Sequence, residues 1–216
     1  ISYTGGYDID ADKSYSVDSL IKAAMIGNAD NAARLLAETV CIKKNCSQED
    51  FIALMNETAS FFKMSNTVFA NPDGTYSEFQ QTTVSDMALF ILNAVKDTRF
   101  KSIYCAPAVL IWDNVIISNP NSLVITKIEE GDTAGGTLST FANNESVIEC
   151  TSTFYLEKNT NNPDTSYNLI IVVSGTDKTS ALSLCELVID DFEKNYKKEA
   201  IVKTGDVIEE IDAGDS

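Results

Sequence analysis

Apolar residues recur at helical spacing through roughly the first hundred positions, and in alternating or β-branched runs after them. Residues 1–15 are polar with a Gly-Gly pair and read as loop or short strand. Ser16 has N-cap chemistry and Asp18 suits the first turn of a helix, so Leu20, Ile21, Ala24 and Met25 form an inward stripe. A second helix is predicted over about 30–39, with Ala33, Leu36 and Ala37 inward. Ser47 starts a third, striped by Phe51, Leu54, Met55, Thr58 and Phe62. Asn71-Pro72-Asp73-Gly74 is a tight turn in which Gly74 supplies a positive φ, and Thr83 with Asp86 opens a fourth helix from Val84 to about Lys96.

Beyond Arg99 the pattern predicts strands over 109–117, 122–128, 147–156 and 168–174, with a hairpin-type loop over 159–164. A closing amphipathic helix follows over about 179–197, with Leu184, Leu187, Val188, Phe192 and Tyr196 on one side. Residues 1–200 then make one domain, and 201–216, weakly alternating and acidic, a final strand or the stub of another. Helices first, strands next and one long helix last predict an α+β fold with a mainly antiparallel sheet, one face covered by the closing helix.

Composition removes several classes of function. Hydrophobic residues are 44% of 216, enough for a buried core. A net charge of −16 argues against nucleic-acid binding, which needs clustered Lys and Arg. No apolar run approaches the roughly 20 residues of a transmembrane helix. No signal peptide is visible, and Ile1 reads as a processing boundary or the start of a fragment. The chain has no histidine, which excludes Ser-His-Asp and Cys-His catalysis, and with no Cys-x-x-Cys spacing zinc is not expected. Cys41 and Cys46 flank a short polar stretch and read equally as a local disulfide or as two free thiols.

Two stretches carry a family resemblance. The run from Tyr15 to Glu38 ends in a helix closing Leu-Ala-Glu. In the second, Met55, Asn56, Ala59, Met64, Asn66, Thr67, Phe69, Asn71, Pro72, Gly74, Thr82, Thr83, Asp86, Met87 and Ala88 stand at fixed offsets. Together they resemble the D-alanyl-D-alanine carboxypeptidases, low-molecular-mass penicillin-binding proteins among the serine peptidases. Residues 168–192 resemble that family's last strand and closing helix less specifically. The resemblance implies a β-lactamase/transpeptidase-like fold, a role in peptidoglycan metabolism and an extracellular or cell-envelope location in a bacterium. Its implied partners are a peptidoglycan peptide or another envelope protein, and it implies no cofactor.

The family acylates a serine with three motifs: Ser-x-x-Lys for the nucleophile and its base, Ser-x-Asn for proton relay and substrate hydrogen bonding, and Lys-Thr-Gly for the substrate carboxylate and oxyanion site. The first belongs upstream of the resembling segment. Ser19-Leu20-Ile21-Lys22 has the spacing but sits in the helix before the second motif and reads as a surface pair. The second, in gapless register, falls on Asn28-Ala29-Asp30; a gapped alternative places Ile26 where the serine belongs. Asn28 cannot relay a proton as a hydroxyl does, and Asp30 brings negative charge towards a carboxylate-binding site. For the third, Glu129-Glu130-Gly131-Asp132-Thr133 offers a weak echo, and spacing back from the last strand points near Ser139-Thr140-Phe141. Lys203-Thr204-Gly205 lies past the closing helix and reads as a turn. The leading expectation is therefore a non-catalytic or impaired relative, with Asn28 and Asp30 as degenerate site positions. The alternatives are an active serine carboxypeptidase whose nucleophile lies on a missing N-terminal segment, and a recruited cell-surface binding or structural module.

Overall fold

The structure is a computed structural model, and it describes residues 9–10, 12–142, 148–158 and 166–196. Seven α-helices and five strands are found among them: α1 (Val17–Met25), α2 (Asp30–Lys44), α3 (Gln48–Phe61), α4 (Val84–Ala94), α5 (Thr98–Tyr104), β1 (Ala108–Leu110), β2 (Ile116–Ser118), α6 (Ser122–Glu129), β3 (Thr133–Ala142), β4 (Ile148–Lys158), β5 (Tyr167–Thr176) and α7 (Lys178–Asn195). The expected α+β class and antiparallel sheet are present: β3, β4 and β5 pair antiparallel in chain order, and β1 and β2 form a separate hairpin. The tail from 201 and the loop 159–164 lie outside the described residues.

Helix starts follow local chemistry. Ser16 accepts from the Ser19 amide, Ser47 and Asp50 complete a capping box, and Thr83 accepts from the Asp86 amide. Gly74 has φ +78, and Asn71 braces the turn by accepting from the Gly74 amide at 2.8 Å and donating to Thr75 O at 2.6 Å.

The sheet is covered on both faces. Ala134, Phe154, Leu156 and Ile171 pack on Leu123 and Val124 of α6 and Cys185 and Ile189 of α7. On the other face Tyr155 and Ile170 meet Ile91, Phe90, Phe100 and Tyr104. A separate cluster joins Leu20, Ala23, Ile26, Ala29 and Ala32 to Ile103, Val109, Ile111 and Ile117.

Several sequence expectations are corrected. The single strand over 109–117 is a hairpin broken by a 3-10 turn, Trp112–Asn114, because Asp113 and Asn114 both take positive φ, which these side chains tolerate. Residues 122–128 are helix, not strand: Asn121 caps them by accepting from the Leu123 amide, and burial of Leu123 and Val124 outweighs β-branched propensity. Helix α2 runs five residues further than predicted, to a left-handed Asn45. Strand β3 and helix α5 were not predicted. The closing helix buries Ala181, Cys185 and Ile189, and Leu184, Leu187, Val188 and Tyr196 face solvent. In α3, Leu54 and Thr58 are exposed and Ala59 is the buried residue. Cys41 and Cys46 are free thiols.

Candidate functional site

The turn between α1 and α2 is anchored from below. Ile26 and Ala29 are buried, and the Ala29 amide donates to Ala23 O at 3.1 Å. Between them the chain reverses through Asn28 at φ 49, a left-handed conformation that asparagine accepts more readily than most residues. The reversal aims the Asn28 side chain at β3. Its Nδ2 donates to Leu138 O at 2.9 Å, and its Oδ1 accepts from Ser139 Oγ at 3.0 Å. Ile26, the gapped candidate for the second-motif serine, packs in the helical core instead.

Asp30 points elsewhere. It opens α2 and, among the described residues, makes no hydrogen bond to β3. Burial and then the charge of Asp73 raise its carboxyl pKa, with Arg34 opposing. Asp73 accepts from both Arg34 Nε, at 2.9 Å, and Nη2. Burial pushes the Asp73 carboxyl up, but the hydrogen bonds from Arg34 and Thr75 outweigh it and hold the group below its ordinary range. Asp30 thus belongs to an acid–base cluster joining α2 to the Asn71–Gly74 turn.

A depressed Asp73 pKa stabilises the fold above the unfolded value of about 4 and loses that contribution as pH falls through the folded value. We expect Arg34→Met to lower stability by about 1 kcal/mol at pH 7, solvent screening of the half-exposed guanidinium included. Urea denaturation at pH 7 and pH 3 checks this; the gap between wild type and variant should shrink at the lower pH.

The two third-motif candidates separate cleanly. Glu129–Thr133 is the junction of α6 with β3, where Glu130 pairs with Lys127, Asp132 with Lys158, and Gly131 turns at φ +93. It lies six residues from Ser139, about 20 Å along an extended strand. Ser139, the first of the three residues to which the spacing from the last strand points, is hydrogen-bonded to Asn28. Thr140 and Phe141 follow in β3, their side chains outside the described residues. No lysine or arginine contact to Asn28 or Ser139 occurs among the described residues. Lys22 instead pairs with Asp18, and the Ser19 hydroxyl accepts from Ser16 Oγ at 2.8 Å, so both belong to the start of α1. Lys203-Thr204-Gly205 lies outside the described residues.

The Leu138 carbonyl could not have been found as an Asn28 partner from the sequence, because a main-chain acceptor leaves no residue signature. The arrangement is a hydrogen-bonding latch between the α1–α2 turn and β3. It holds two neutral polar side chains against each other, and it presents neither a thiolate nor a histidine.

The sequence model for D-alanyl-D-alanine carboxypeptidases matches residues 6–152. The chain belongs to that family. Its fold is similar to penicillin binding protein 5 from Haemophilus influenzae, with TM-score 0.68, 18% identity, 86% of this chain covered and 50% of that one. It is also similar to a penicillin-binding protein of Listeria monocytogenes in the ampicillin-bound form, with TM-score 0.65, 18% identity, and coverage of 88% and 72%. The D-alanyl-D-alanine carboxypeptidase DacD from Francisella tularensis gives TM-score 0.63 at 20% identity, over 85% and 53%. The chain spans about half the length of the Haemophilus protein. No curated protein matches it in sequence. Among the described residues, no helix of this family member is long and apolar enough to cross a membrane.

Proposed function

We propose that this chain is a non-catalytic or strongly impaired carboxypeptidase-type module of the bacterial cell envelope, one that binds a peptidoglycan peptide or an envelope protein without acyl transfer. The observation that carries the reading is the latch of Asn28 onto Leu138 O and Ser139 Oγ. The family resemblance assigns the facing pair of turn and strand to proton relay, substrate hydrogen bonding and carboxylate capture. Here Asn28 stands at the relay position, and an amide does not pass a proton as a hydroxyl does. The strand position beside it carries Ser139, which has no charge to attract a carboxylate. Asp30 sits with Asp73 and Arg34 rather than in this cleft, so repulsion of a carboxylate by Asp30 forms no part of the proposal.

The test is incubation with a fluorescent penicillin followed by denaturing electrophoresis. No stoichiometric adduct is expected, and one labelled molecule per chain would refute the proposal.

A second reading is an active serine carboxypeptidase whose nucleophile lies on polypeptide outside this chain. It is favoured by two unpartnered surfaces. Among the described residues β5 pairs only with β4, and α7 exposes Leu184, Leu187 and Val188 on one side. On this reading the protein isolated from its natural source carries a further Ser-x-x-Lys sequence outside these 216 residues and takes up the penicillin. Intact mass measurement with and without the drug distinguishes the two readings.

A further inference from the structure

Helix α2 ends in a hydrogen-bonding pattern that brings two cysteines together. Asn45 adopts φ 52, ψ 49; its amide donates to Ile42 O at 3.4 Å, and the Cys46 amide donates to Cys41 O at 3.0 Å. These are the paired bonds of a Schellman motif, which ends a helix with one left-handed residue and sets the side chain two positions beyond the end against the one in its last turn. An apolar pair frequently fills those two positions. Here they are Cys41 and Cys46, both free and half-exposed. The Cys41 thiol also donates to Ser47 O at 3.2 Å, the residue that caps α3. The backbone motif therefore sets the two cysteine side chains on the same side of the helix end without any bond between them.

We propose that Cys41 and Cys46 form a redox-responsive pair that closes to a disulfide by exchange with a low-molecular-mass disulfide. Cys41 Sγ–H is engaged with Ser47, so the Cys46 thiolate attacks first, forms a mixed disulfide and expels one small thiolate. The Cys41 thiol then loses its proton, and its thiolate attacks the Cys46 sulfur, forming the intramolecular bond and expelling the second small thiolate. The protein loses two electrons and two protons, and the small disulfide is reduced to two thiols. Closure ties the last turn of α2 to the residue before the α3 cap, gives up the Cys41 hydrogen bond to Ser47 O, and alters the groove lined by Arg34, Glu38, Cys41, Ile42, Gln48 and Pro72. An oxidising compartment closes the pair and a reducing one opens it.

The chain supplies its own assay, because Lys43 and Lys44 lie between the two cysteines. After equilibration of the full chain in glutathione/glutathione disulfide buffers, acid quenching, alkylation and trypsin digestion, the Cys41 and Cys46 peptides should be recovered as one cross-linked species that dithiothreitol separates. Cys46→Ser and Cys41→Ser should each abolish it. The folded chain should close at a more reducing glutathione ratio than the same chain in urea, since the Schellman geometry is lost on unfolding. Two separately alkylated peptides at every ratio would overturn the proposal, as would a mixed disulfide with glutathione as the end product. Equal closure in folded and unfolded chains would overturn it too, because the fold would then contribute nothing.

Discussion

Asp86→Ala should be among the most destabilising single substitutions in the chain, at about 3–5 kcal/mol. Asp86 is almost fully buried. Its Oδ2 accepts from the Asn66 amide and from Thr67 Oγ1, both at 2.8 Å, and its own amide donates to Thr83 Oγ1 at 3.1 Å. Thr67 in turn shares a hydrogen bond with Thr82 at 2.8 Å. One carboxylate thus ties the loop after α3 to the first turn of α4. Alanine leaves a backbone N–H and a buried hydroxyl without their acceptor, and each loss carries a desolvation cost. Asp86→Asn keeps an acceptor but gives up the charge, so about 1–2 kcal/mol is expected. Thr83→Ala removes only the cap and should cost about 1 kcal/mol. Urea unfolding of the three variants checks the order, and an alanine variant within 1 kcal/mol of wild type would show that the network does not hold the loop.

This network also explains why the family string was legible while the chemistry was not. Asn66, Thr67, Thr82, Thr83 and Asp86 stand at fixed offsets because each satisfies another's buried polar group. Asn56 behaves alike, donating to Phe69 O at 2.9 Å and accepting from the Phe69 amide at 2.8 Å. Such a set survives in a sequence as a pattern of residue types. Helices with strong caps, at Ser16, Ser47 and Thr83, were equally readable.

What was misread depended on tertiary context. Residues 122–128 look like a strand because Val124, Ile125 and Thr126 are β-branched; Asn121 and the sheet face beneath decide for helix. The closing helix was oriented by its largest apolar residues, yet Ala181, Cys185 and Ile189 face the sheet, where small side chains let the helix come close. The gapless register sets Asn28 where the family resemblance implies a serine, but no residue pattern points to its partners on β3. The strand itself was hidden by Gly135 and Gly136, which weaken any strand signal.

Those glycines carry the second large prediction. A β-carbon on Gly136 would lie 2.6 Å from Thr153 O and 2.8 Å from Asn121 Nδ2, inside van der Waals contact with both. Neither neighbour is free to move. Thr153 O belongs to β4, and it accepts from Asn121 Nδ2 at 3.1 Å. Asn121 is fully buried and also caps α6, while Asn119 Nδ2 donates to Gly136 O at 3.0 Å. Gly136→Ala therefore combines overpacking with loss of a buried amide hydrogen bond, about 3–4 kcal/mol together. At Gly135 the added carbon meets Cys105 Sγ and Tyr104 Cδ1 at 2.7 Å and Tyr104 O at 3.0 Å; Cys105 can turn aside, but Tyr104 is fully buried with its hydroxyl bound to Thr153. Gly135→Ala should then cost about 2–3 kcal/mol, from overpacking alone. Combining Gly136→Ala with Asn121→Ala should destabilise by less than the sum of the two, because removing the amide relieves one clash while the Thr153 carbonyl keeps the other. Additive costs would mean that the Asn121 amide takes no part in the clash, and a Gly136→Ala variant as stable as wild type would mean that β3 and β4 separate without penalty. Ser139, three residues along the same strand, would then not be held against Asn28 by the sheet.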